Sequence, residues 1–107
     1  MKVFMDIYTL RRAILTALFQ FQNPVQLSAL LYHQEVCGAF GKLVLSGSDT
    51  LLIRRELAEL SSAGYTEEIT GFPDWYKLAA NQRLAMAQTA GAVDKKDPFL
   101  YGPSALR

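Results

Sequence analysis

The sequence predicts a mainly α-helical domain with a small β-hairpin, an α+β fold, and three observations predict it. Apolar residues recur at helical spacing in several segments, capping residues and glycines punctuate those segments, and one run reads as two short extended stretches around a Gly/Pro/Asp cluster. The 107 residues suit one domain with a single core, so no separate effector-binding domain is expected. An apolar content of 50% against 20% charged residues places the chain among folding sequences and not disordered ones.

Asp6 is placed to cap a helix from about Ile7 to Phe21, in which Ile7, Leu10, Ile14, Leu18 and Phe21 form one stripe that Leu15 and Phe19 widen. So wide a face is either the centre of the core or partly a dimer seam. Arg11 and Arg12 are assigned to the surface. Asn23-Pro24-Val25-Gln26 carries a second start signal, Asn as N-cap, Pro at the first helical position and Gln reaching back to the cap. The second helix then runs through Leu27, Leu30 and Leu31 to about Tyr32 or Gln34. Residues 35–47 are interrupted by Gly38 and Gly41, and Lys42-Leu43-Val44-Leu45 reads equally as a short strand or more helix. A tight connection between two helices needs only about 3–4 residues, so this segment holds a third strand, an extra helical turn or a partner-binding loop.

Ser46 or Ser48, with Asp49 in the first turn, caps the next helix, which ends at Ala63. Ile53, Leu57 and Leu60 fall at i, i+4 and i+7 and make its apolar stripe, with Arg54, Arg55 and Glu59 turned away. Gly64 supplies the left-handed conformation of a helix C-cap, and Tyr65 folds back on the stripe. Tyr65 to Ile69 and Trp75 to Leu78 then favour extended chain, joined by the turn residues Gly71, Pro73 and Asp74. A last helix runs from about Ala79 to Ala90 and sets Leu84 and Ala87 or Gln88 at helical spacing. From Gly91 to Arg107 the glycines, prolines and the run Asp94-Lys95-Lys96-Asp97 oppose any regular element. With Phe99-Leu100-Tyr101 inside it, this segment is either a loose tail or an arm that docks on its own core or on a second subunit.

Eleven basic and ten acidic residues give a net charge of +1, which predicts no strongly basic protein overall while leaving local segregation of charge open. Cys37 and His33 each occur once, so neither a disulfide nor a metal-ligand set is expected; their spacing of four would put them on one face of a continuing helix, but Gly38 interrupts it and no acid is placed to orient a catalytic pair. No cofactor is expected either, since Gly38-Ala-Phe-Gly41 and Ser46-Gly-Ser48 lack the spacing and the Lys-Ser/Thr pair of a phosphate loop. Met1-Lys2-Val3-Phe4-Met5 is too short an apolar run before Asp6 to be a signal segment, and nothing approaches the ~20 apolar residues of a membrane span. A cytoplasmic protein that is not an enzyme is the expectation.

Leu57, Leu60, Ala63-Gly64-Tyr65, Tyr76-Lys77-Leu78 and Arg83-Leu84 together resemble a pattern of winged helix-turn-helix transcriptional regulators of the MarR-like and PadR-like groups. The resemblance spans roughly Arg12 to Ala90; Ala79 stands where those groups usually have Thr, and Gln82 where they often have Gly. It implies a winged-helix domain over residues 1–90, with 91–107 as a flexible tail or dimer arm, in a homodimer held through the first and last helices and the tail. It also implies that the helix before Gly64 enters the DNA major groove. Ser48, Thr50, Arg54 and Arg55 are then the groove-facing set, with Lys77 and Arg83 at the DNA backbone, Arg83 alternatively capping and pairing locally. Leu51, Leu52, Glu56 and Glu59 on the same helix, and a hairpin tip Gly71-Phe-Pro-Asp-Trp75 without a basic residue, suit DNA less. The alternative is therefore a winged-helix protein–protein interaction or assembly module, with Phe72 and Trp75 as partner anchors or as cover for the edge of the core.

Overall fold

The first helix, α1 (Ile7–Gln20), begins where the Asp6 carboxylate accepts the Tyr8 amide at 3.0 Å and the Thr9 hydroxyl at 3.1 Å. In the computed structural model, which describes residues 6–103, four later helices and one strand pack against this helix. Met1 to Met5, the short apolar run read above, lie outside the described residues. After α1 come β1 (Val25–Gln26), α2 (Leu27–Leu31), α3 (Gln34–Phe40) and α4 (Gly47–Ser62). They are followed by β2 (Thr66–Glu68), β3 (Trp75–Leu78), α5 (Ala80–Gln88) and α6 (Pro98–Tyr101). The chain is thus mostly helical with one small antiparallel sheet, in the order β1-β3-β2.

α1 packs against α3, α4, α6 and β3, and Leu10, Ile14, Leu15, Ala17 and Leu18 are all buried. Its wide apolar face is consumed inside the domain, so the dimer seam inferred from that width loses its basis. The core is completed by Leu27, Leu30, Val36, Ile53, Leu57, Leu60, Leu78 and Met86. No helix among the described residues is long and apolar enough to cross a membrane.

Three local expectations are corrected. Asn23-Pro24-Val25-Gln26 does not open a helix: Val25 and Gln26 pair with Tyr76 and Trp75 of β3, and α2 starts only at Leu27. Its first amide, Leu27, donates to the Asp74 carbonyl at 2.8 Å in place of a side-chain cap. The third strand is therefore β1 and lies ahead of residues 35–47. Of the readings of that later segment, additional helix is the one found, α3, stopped by Gly41 at φ +65°, after which Leu43 and Val44 stand in solvent as neither strand nor helix. Finally, α5 buries Met86 and leaves Leu84 exposed, the reverse of the expected face.

Residues 91–103 are not loose. Val93 and Leu100 join the core, and Asp97 with Pro98 starts the short helix α6, the Asp97 carboxylate accepting the Phe99 amide at 2.9 Å. The Phe99 ring stacks on Tyr65 with centroids 5.3 Å apart, and the Tyr65 hydroxyl donates to the second Asp97 oxygen. Burial, and then that carboxylate, raise the Tyr65 phenol above its ordinary range. Arg11 and Arg12, assigned to the surface by sequence, face inward to this segment. Arg11 donates to the Phe99 carbonyl at 3.0 Å and lies 4.1 Å from the ring centre of Phe99; Arg12 donates to the Leu100 carbonyl at 2.7 Å and lies 4.2 Å from that of Tyr101. Of the two readings of the tail, docking on its own core is the arrangement found over these residues.

Candidate nucleic-acid interface

The Ser46 hydroxyl accepts the Asp49 amide at 3.2 Å while the Asp49 carboxylate accepts the Ser46 amide at 2.8 Å, so a capping box opens α4. Lys42 adds an ion pair to Asp49 at 2.9 Å. These bonds, the Ser46 amide first and Lys42 after it, outweigh partial burial and hold the Asp49 carboxyl below the usual carboxylate range. Because folding lowers this pKa, the associated stability is complete above the unfolded value and is lost as pH falls through the folded one. Asp49→Asn is expected to cost about 0.5–2 kcal/mol near neutral pH, a cap's worth, with the deficit shrinking below about pH 4. Urea melts across pH check this, and a deficit unchanged by acid would contradict it.

From that cap, α4 turns Ile53, Leu57 and Leu60 inward, as the spacing requires, and Ser48, Thr50, Leu51, Arg54 and Arg55 toward the other side. Thr50 is half-buried and its hydroxyl donates to the Ser46 carbonyl at 3.1 Å; the Ser48 and Ser46 hydroxyls are 3.0 Å apart. Arg54 reaches the hairpin turn and pairs with Asp74 at 2.9 Å, its side chain still 50% exposed. Arg55 is 76% exposed, with Glu56 its nearest carboxylate at 4.0 Å. Asp74 is a turn residue at φ +66°, a conformation Asp tolerates better than most side chains.

The two residues expected at the DNA backbone differ from each other in their surroundings. Lys77 sits directly across the ladder from Glu67 and pairs with it at 3.5 Å, both exposed. Arg83 points into the fold: its guanidinium donates to the carbonyls of Leu18, Phe19 and Phe21 at 2.9, 3.2 and 3.1 Å. It thereby satisfies the orphan acceptors at the end of α1, the local capping role. Ser48, Thr50, Arg54 and Arg55 are thus brought together on one helix, whereas Arg83 is occupied elsewhere.

Sequence reasoning also missed a partner. Glu56, read from sequence as a negative charge on the same helix as Arg54 and Arg55, is buried and bonded to Arg11 at 2.7 Å, their side chains 2% and 10% exposed. It contributes nothing repulsive to an outer ligand. Its signal was available, because Glu56 falls three residues after Ile53 and four before Leu60, inside the apolar stripe. His33 and Cys37 each bond within the fold: His33 Nδ1 accepts the Glu35 amide at 3.1 Å, and the Cys37 thiol lies 3.3 Å from the Leu31 carbonyl. Phe72 is exposed and Trp75 half-buried, and with Pro24 and Ile69 they line a surface groove of about 280 Å³ instead of covering the core.

Comparison of the chain with protein-family models, curated proteins and solved structures gives no match.

Proposed function

We propose that this chain is a winged helix-turn-helix domain that binds double-stranded DNA through α4 and regulates transcription. The element order supports the fold reading: β1 precedes the α2–α4 helices, and the hairpin that follows α4 pairs with β1 through β3. The observation that carries the DNA reading is how the described arginines divide. Arg11, Arg12 and Arg83 are bound to groups of the fold itself, while Arg54 and Arg55 are adjacent on α4 and open to solvent. The Arg54–Asp74 pair does not prevent such a role, since an exposed pair is worth only about 0–1 kcal/mol and exchanges readily for phosphate, and Arg55 lies 4.0 Å from a Glu56 that is already bonded to Arg11. Ser48 lies on the same exposed first turns, where α4 begins.

Fluorescence anisotropy with random duplex DNA at low and moderate salt is the test. Binding is expected to weaken steeply with salt, and Arg54→Ala with Arg55→Ala to reduce the log–log slope by up to about 2, one phosphate each. The loss of the Arg54–Asp74 pair should leave the fold intact for the reason just given. No binding at low salt removes the DNA reading.

A second reading, a protein–protein interaction or assembly module, is favoured by one observation. Tyr32, Leu43, Val44, Leu51 and Phe72 are large apolar side chains left mostly in solvent, Leu43 at 95%. The same titration separates the two, because a module of this kind shows no salt-dependent affinity for duplex DNA.

A further inference from the structure

Between α1 and α3 lies an open hollow of about 390 Å³, away from the outward arginines of α4 and lined by Thr9, Arg12, Thr16, Gln34, Glu35 and Gly38 among others. That volume falls within the range of small-molecule sites, roughly 300–1,000 Å³. Its two charged side chains stand on different helices, Arg12 on α1 and Glu35 in the first turn of α3. Among the described residues no ion pair joins them, although both line the same space. Arg12 is held in place by the Leu100 carbonyl at 2.7 Å and the Tyr101 ring of α6, and by the hydroxyl of Thr9, itself on the wall of the hollow, at 3.3 Å. Two of its guanidinium N–H groups are committed in this way, and a guanidinium has five.

The glycine is informative too. Gly38 is inside a helix, at ordinary negative φ, and a Cβ there would meet no atom within 4 Å. Neither backbone conformation nor packing within the chain calls for glycine at this position, which a helix disfavours. Its effect is to keep the α3 wall of the hollow open.

We propose that this hollow binds a free α-amino acid, its carboxylate on Arg12, its ammonium on Glu35, and its side chain against the Thr9, Thr16 and Gln34 wall. A simple anion would meet Glu35 and a simple cation would meet Arg12; a zwitterion satisfies both. The site is independent of the DNA reading, and since Arg12 is held by α6, occupancy bears on the C-terminal segment.

The test uses the full chain without DNA, titrated with each standard L-α-amino acid and, for any that binds, with its N-acetyl and its carboxamide derivatives. Amide shifts of Gly38, Ala39 and Ala13 in ¹H–¹⁵N spectra are the readout. Saturable shifts are expected with at least one amino acid, and each blocked derivative should bind about tenfold or more weakly, the size of one charge-assisted hydrogen bond. Glu35→Gln, at an exposed position, should weaken binding by a similar factor, and Gly38→Leu should abolish it with no fall in melting temperature. Arg12→Gln should also abolish it, but it touches α6, so the other two variants keep the outcome independent of folding. Absence of saturable shifts with every amino acid, or equal binding of the blocked derivatives, overturns the proposal.

Discussion

Glu56→Ala is expected to lower the unfolding free energy by about 3–5 kcal/mol, the cost of leaving one member of a buried ion pair without its partner. The stranded group is Arg11, whose guanidinium would keep only the Phe99 carbonyl and the flanking rings of Phe99 and Tyr8. On a domain whose whole stability is of the order of 5–15 kcal/mol, a change of that size is a large fraction of the total. The pair itself is worth much less than the single deletion suggests, because both charges were stripped of water to form it. Arg11→Met combined with Glu56→Leu should therefore recover most of the loss. Urea denaturation followed by circular dichroism checks both. A deficit below about 1 kcal/mol for Glu56→Ala would mean that water reaches Arg11 and that the pair behaves as a surface one.

Leu100→Ala should cost about 2–5 kcal/mol, the range for truncating a fully buried leucine, and should do so in the same cooperative transition as a change in α1. Leu100 is 1% exposed and belongs to the cluster that contains Leu10, Ile14 and Leu57. Around it α6 is tied to α1 by the Arg11 and Arg12 hydrogen bonds and to Tyr65 by Asp97. The comparison is Lys95→Ala, which is exposed in the same segment and should change stability by no more than about 0.5 kcal/mol. If Leu100→Ala is as mild as Lys95→Ala, the segment is a separable tail and the packing described for it does not persist in solution.

Legibility in the sequence followed the range of the interactions involved. The stretch from Ile53 to Leu78 was readable because each of its signals is local. Ile53, Leu57 and Leu60 share a face by helical geometry alone, Gly64 takes φ +88° as a C-cap should, and Gly71 with Asp74 turns the hairpin at positive φ. Asp6 and Ser46 cap the helices expected of them for the same reason. Asn23-Pro24-Val25-Gln26 misled because a capping pattern is also compatible with an extended dipeptide, and β3, some fifty residues away, supplies the hydrogen bonds that decide the matter. The docked C-terminal segment had one local mark, Asp97 before Pro98, which the surrounding glycines and charges obscured.

For the candidate DNA face, sequence placed Arg54 and Arg55 on the outward side of α4, and helical periodicity is sufficient to do that. Which cations are free to meet a ligand was decided only by tertiary structure. Arg83 and Arg55 are both arginines in helices, yet one meets three carbonyls at the end of α1 and the other stands 76% exposed. The sequence by itself therefore determined the mainly helical class, the caps, the hairpin and the apolar stripes, all of which depend on neighbours within about one or two turns. Only the folded chain decided that β1 is a strand, that Arg11 and Glu56 meet in the core, that residues 91–103 close over α1, and that Arg12 faces a hollow opposite Glu35. Each of those depends on groups far apart in sequence, whose desolvation and hydrogen bonding are settled when the layers pack and not before.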